Sequence, residues 1–313
     1  MASAIYVGTD DGLYILSDEE RKELPGHRVT SLVTEGEKVW ALAGGNQIFT
    51  YGSSKIWRMS SRLPKASRLP RRNGPEITTA TALHLGKDGM LAGTVGAHLA
   101  RIATGASIER VFSFDEMPGR EKWHTPWGAP PDVRSISSDG RGTLYVNVHV
   151  GGIAKSSDDG ETWAPTIDID ADVHQVLAVP DTDKVLAASA RGLEVSEDRG
   201  LTWTTRNRGL GDTHYCRAIA LAGDTVLVSG SKGPGGERAG VYSCKLSSSQ
   251  LTRCTRGLPE FFKDNIDTHC LSATADTAVF GTSDGTVYAS HDQGYSWHEE
   301  VTGLPSVRSI LVK

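Results

Sequence analysis

The chain has 313 residues, 38% of them hydrophobic and 23% charged, with a net charge of −5. That length is ample for a buried core, and the acidic balance excludes a basic face over the whole chain of the kind nucleic-acid binders carry. No run of about 18 apolar residues and no charged-then-apolar leader occurs, so neither a membrane span nor a secretion signal is expected. Cytoplasmic residence follows, with Cys216, Cys244, Cys254 and Cys270 reduced. In a secreted chain, Cys244 and Cys254, which flank "CKLSSSQLTRC", are the pair to form a disulfide. Glycine is abundant at 35 residues while methionine and phenylalanine are scarce, a balance that favours tight turns over long helices.

In chain order, "AIYVGTDDGLYILSD" places two β-rich runs around a Gly-containing turn, with no strand before them. A short apolar strand then opens at each of His27, Thr78, Asp132, Val173, His214, His269 and Ser306. The strand from Ser306 has nothing downstream to pair with, and the N-terminal run has nothing upstream. Joining them completes a unit. A basic stretch from Lys55 to Arg72 reads as a solvated loop, or as an attraction for an anionic ligand. Residues 113–130 and 231–240 read as insertions on the rims.

Three segments share the pattern S-x-D-x-G-x-[TS]-W: "SSDDGETW" at Ser156–Trp163, "SEDRGLTW" at Ser196–Trp203 and "SHDQGYSW" at Ser290–Trp297. Their starts lie 40 and then 94 residues apart, the second interval being about two further periods. Chemically each is a turn: Ser and Asp bond backbone N–H groups, Gly takes a positive φ, and Trp packs back on the sheet. Short strands at this period, without helical periodicity, predict an all-β, seven-bladed β-propeller. It would be one domain over residues 1–313, with four-stranded blades, closed by pairing of its N- and C-terminal strands. Six blades with a decorated loop is the alternative.

The three turns resemble Asp-box (BNR) repeats, found in sialidases, sortilin-type receptors and photosystem II assembly factors. The strings "HTPWGAPPDVRS", "NVHVGGIAKSSDDGETW" and "NIDTHCLSA" further resemble bacterial BNR-repeat proteins labelled sialidase- or glycosyl-hydrolase-like. The resemblance covers most of the chain and speaks to fold more than function. A sialidase resemblance would imply an arginine triad, a tyrosine nucleophile paired with a glutamate, an aspartic acid and an Arg-Ile-Pro-like motif near the start. No such motif and no matched Tyr–Glu pair is found. Arg134, Arg217 and Arg308 recur in first strands, either as a repeated structural residue or as a three-arginine clamp.

Histidines carry the main functional expectation. His27, His174, His214 and His269 open first strands in one local frame, and first strands line a propeller's central channel. His149, in "NVHVGG", approaches from the end of a second strand. Asp172, Asp212 and Asp267 each precede a histidine by two residues, on the same strand face. His149, His174, His214 and His269 are therefore the expected metal ligands, suited to one divalent transition metal such as zinc, iron, copper or nickel. Asp267, Cys216 and Arg217 are the candidate catalytic groups, and His124, Trp127, Arg134 and Cys270 the candidate ligand-binding groups. The bland alternative is that the histidines hydrogen-bond neighbouring blades. Three functions stay open: metal-activated water doing hydrolysis or lyase chemistry on a small molecule in the channel, a non-catalytic platform for protein partners, or a metal-free glycosidase with paired carboxylates. No nucleic-acid or membrane partner is expected.

Overall fold

The computed structural model describes residues 4–64, 77–87, 89–103 and 107–313. The strands form seven four-stranded antiparallel sheets. Six sheets use consecutive strands, and the seventh pairs the C-terminal strand Val307–Val312 with Ile5–Thr9, Gly12–Leu16 and Arg21–Glu23. In chain order the innermost strands of blades one to seven are Val29–Glu35, Ala80–Gly86, Val133–Ser138, Val173–Ala178, Tyr215–Ala222, Leu271–Ala273 and Val307–Val312. Each packs against the next, and the seventh packs against the first. The chain is thus a seven-bladed propeller, and the six-bladed alternative is excluded.

Ring closure is made by the register Ile5↔Val312 to Gly8↔Ser309, extended by reciprocal backbone bonds between Ala4 and Lys313 at 2.9 and 3.0 Å. Pairing the two termini satisfies the backbone groups that an unclosed sheet would leave bare. Apolar side chains fill the spaces between blades. Leu42, Ile48, Leu83, Met90 and Ala92 join the first blade to the second. Glycines in second strands allow close approach of neighbouring blades: a Cβ on Gly93 would lie 2.2 Å from Val133 Cγ1, and one on Gly281 2.4 Å from Val307 Cγ1.

The three S-x-D-x-G-x-[TS]-W segments join third to fourth strands by one hydrogen-bond scheme. Ser156 Oγ accepts from Gly160 N at 2.8 Å, and Asp158 Oδ1 accepts from Thr162 N at 2.9 Å. The Ser196 and Ser290 turns repeat both bonds. Gly160, Gly200 and Gly294 carry the expected positive φ. Trp163 and Trp297 are buried and donate from Nε1 back to the turn glycine's carbonyl, whereas Trp203 Nε1 is buried without a partner.

One regularity positions the site. Six of the inner strands break register near their start, where an extra residue is inserted. The inserted residues are Thr30, Thr81, Arg134, His174 and Arg308; in the fifth blade the irregular pair between Cys216 and Ile219 includes Arg217. A bulge re-aims one side chain while the strand continues. Here the inserted residues are all polar, and His174 is one of them.

Among the described residues no helix is long and apolar enough to cross a membrane. All four cysteines are free. In the basic stretch, Lys65, Arg68, Arg71 and Arg72 lie outside the described residues.

Candidate metal centre at the channel mouth

The centre is built where inner strands begin and second strands end. His149 follows the second strand Leu144–Val148, and its N–H is tied to Asp132 O at 2.9 Å. Asp172 sits at the end of a single 3₁₀ turn with φ 48°, a left-handed conformation that Asp tolerates better than most residues. Two residues on, the bulge delivers His174. His149, Asp172 and His174 each offer one ligand atom, and the three atoms lie within 4.8 Å of one another. Asp172 Oδ1 is 3.6 Å from His149 Nε2, and Oδ2 is 3.6 Å from His174 Nε2. Asp172 Oδ1 is buried without a hydrogen-bond partner.

The tautomer of His174 follows from its partners. Nδ1 lies 2.7 Å from the carbonyl of Cys216, which only accepts, so Nδ1 carries the proton. Nε2 is then left with its lone pair, 3.0 Å from the Tyr215 hydroxyl. Burial, reinforced by the positive charge of Arg134, pushes His149 down to about 4, so its ring is neutral at pH 7. For Asp172, burial alone would raise the pKa. Its interactions with His174, His149 and Arg134 outweigh burial and hold it below the usual carboxylate range. Two imidazoles and a carboxylate, one nitrogen held by a backbone carbonyl behind it, can hold a metal ion.

Around this group, Trp127 is 67% exposed and its ring lies tilted against His149, with centroids 5.0 Å apart. Arg217 pairs with Asp267 at 2.9 Å and lies over the Tyr215 ring at 5.4 Å. Arg308 grips Asp10 through two nitrogens, at 2.9 and 2.7 Å. The guanidinium of Arg134 is different: among the described residues no carboxylate lies within ion-pair distance, and its Nη1 is buried without a partner. Arg217 Nε is likewise buried and unpartnered.

Asp267-Thr268-His269 crosses the channel. Thr268 Oγ1 lies 3.2 Å from the carbonyls of His174 and Arg217, His269 Nε2 donates to Arg134 O at 2.9 Å, and His269 O accepts from Ile310 N at 2.8 Å. The tripeptide therefore ties the third, fourth, fifth and seventh blades to the sixth.

The structure brings His149 and His174 together but leaves out the other two expected ligands. His269 has its Nε2 committed to Arg134 O. His214 is exposed, with one long contact from Nδ1 to Gly211 O at 3.4 Å. Its neighbour Thr213 is the reason: buried, it bonds Leu210 O and the Tyr242 hydroxyl, which locks Asp212–His214 into a turn. The fifth inner strand starts at Tyr215, so Tyr215 and Arg217 take the places that Asp172 and His174 hold in the fourth. The two Asp-Thr-His tripeptides are thus out of phase. Cys216 enters through its carbonyl; its thiol is fully buried, and burial pushes its pKa up, removing it as a nucleophile. Burial does the same to Cys270, which lines a cleft of about 280 Å³ with Arg217, Asp267 and Arg308. His124 is exposed, with its ring 3.1 Å from Lys122 O, and is not one of the three converging donors. Tyr215 was missed on sequence; its signal was the alternation of the strand that begins with it.

A cavity of about 650 Å³ lies elsewhere, between the first and second blades, lined by Trp40, Ile48, Leu85 and Met90. Its charged lining is Glu35, Lys38 and Lys87, which is no metal-binding set. Donor chemistry therefore points to the mouth rather than to this cavity.

No family model matches the chain, and no curated protein matches it. Many solved structures do. A 6-phosphogluconolactonase-like protein from Bacteroides uniformis aligns at 12% identity, covering 99% of each chain, with a TM-score of 0.65. The WD40 repeats of RRP9 align at 13% identity over 90% of this chain and 83% of that one, TM-score 0.62. YCF48 bound to D1 peptide aligns at 14% identity over 87% and 82%, TM-score 0.57. The likeness is one of fold.

Proposed function

We propose that the channel mouth is a metal-dependent site for a small anionic molecule. His149, Asp172 and His174 hold one divalent transition ion, zinc, iron, copper or nickel. The observation that carries this reading is the convergence of their ligand atoms within 4.8 Å, with the His174 tautomer set by Cys216 O. The unpartnered Nη1 of Arg134 suits an anionic group on the ligand, because a buried guanidinium without a counter-ion is costly. Trp127 covers the open side. A bound ion would polarise a ligand oxygen or acidify a water, which suits hydrolysis or lyase chemistry. Asp267, held by Arg217, is the nearby carboxylate for proton transfer. Free cysteines fit a reducing compartment such as the cytoplasm.

The test is elemental analysis of purified protein, as isolated, after chelation, and after resupply of each metal under reducing conditions. About one equivalent is expected in the wild type and none in a His149→Ala/His174→Ala variant that remains folded. No uptake by the wild type from any of the four metals refutes the reading.

The three tryptophan turns support an Asp-box relationship. Sialidase chemistry is not supported by the arginines: Arg217 and Arg308 are each engaged by an aspartate of the chain itself. A second reading, a platform for a protein partner, is favoured by the exposed Trp127 and Val95 and by the peptide-bound YCF48 relative in fold. It predicts that Trp127→Ala abolishes co-purification of a partner without changing metal content.

A further inference from the structure

We propose that Tyr215 is a fourth protein ligand of this centre, completing a donor set of two imidazoles, one carboxylate and one phenolate. The inference rests on the metal site proposed above and names a ligand that sequence reading did not foresee.

The argument is one of distances. Protein nitrogen and oxygen ligands sit about 2.0–2.2 Å from a first-row ion, so two donors at right angles are about 3.0 Å apart and two at a tetrahedral angle about 3.4 Å. The Tyr215 hydroxyl lies 3.0 Å from His174 Nε2. The two Asp172–histidine separations are both 3.6 Å, close to the wider value. An ion seated on His174 Nε2 therefore has the phenol oxygen at the separation of an adjacent ligand, with no rearrangement of either ring.

The surroundings agree. His174 Nδ1 is already committed to Cys216 O, so Nε2 can only accept, and it faces Tyr215. Tyr215 opens its inner strand as Asp172 precedes the fourth, so the two oxygen donors occupy matching positions of adjacent blades. The Arg217 guanidinium lies over the Tyr215 ring at 5.4 Å. Coordination forms one Oη–metal bond, and the phenol proton leaves to water. No electron is transferred.

Ferric iron is the informative probe, because a phenolate bound to it gives a charge-transfer band in the visible, which imidazole and carboxylate ligands do not. Metal-free protein is loaded with ferric citrate, freed of excess, and its iron content and spectrum are compared for wild type and Tyr215→Phe. Zinc affinity is measured in parallel. The wild type is expected to be coloured with about one iron per chain. The variant should retain iron but lose the band, and bind zinc about tenfold or more weakly. A wild type that holds iron without the band overturns the inference, as does a band that survives in Tyr215→Phe or a zinc affinity unchanged within about twofold. Those outcomes leave the metal site itself standing. Failure of the wild type to take up any metal overturns both.

Discussion

Asp172→Asn tests the metal centre with little disturbance of the fold. Asp172 holds φ 48°, and Asn is among the few residues that tolerate this left-handed region, so the turn before the fourth inner strand is kept. What is lost is the anionic donor between His149 and His174. For the wild type, metal at about 100 times its Kd stabilises the folded state by about 2.7 kcal/mol. With an unfolding entropy of about 2.1 cal/mol/K per residue, a chain of this length gains about 0.7 kcal/mol per degree, so Tm rises by about 4 °C. If the substitution weakens binding about a hundredfold, the same metal concentration equals one Kd and gives about 0.4 kcal/mol, under about 1 °C. The assay is thermal unfolding of metal-free protein with and without added zinc, for both proteins. An equal rise in Asp172→Asn and wild type refutes the assignment of Asp172 as a ligand.

Two further outcomes test the scaffold. Burial holds His84 down to about 4, and its Nε2 is buried without a partner. A histidine with a depressed folded pKa contributes stability that is complete above about 6.5 and lost as pH falls toward 4, here about 3 kcal/mol. His84→Gln should therefore lose less urea stability between pH 7 and pH 4 than the wild type; equal losses contradict the argument. Gly93→Ala places a Cβ 2.2 Å from Val133 Cγ1 without any positive φ, so its effect is steric. Overpacking of this kind costs about 1–3 kcal/mol, lowering Tm by about 2–5 °C, and an unchanged Tm would mean that the blades can separate freely there.

The blade repeat was legible because its physics is local. Each S-x-D-x-G-x-[TS]-W turn makes its Ser and Asp hydrogen bonds within eight consecutive residues, so its chemistry is written in one short string. Closure was legible as a mismatch of strand supply: a terminal strand without a successor and an initial hairpin without a predecessor. The Asp-x-His frame singled out Asp172–His174, and His149 was singled out by its position after a second strand; the three lie together. The same frame misplaced His214, because a three-residue shift set by the buried Thr213 is invisible in a list of similar strings.

The amino-acid sequence by itself determined the number of blades, their closure and the class of residue presented at the mouth, since short-range patterns of strand, turn and glycine suffice for these. Only the tertiary structure decided which polar groups share the site. His149, Asp172, His174 and Tyr215 come from three blades, and bulges, a left-handed turn and a strand start aim them at one another. Their convergence depends on strand phase, where one residue reverses a side chain's direction. That phase is set by contacts such as Thr213 with Tyr242 and Thr268 with His174, made between residues 29 and 94 positions apart.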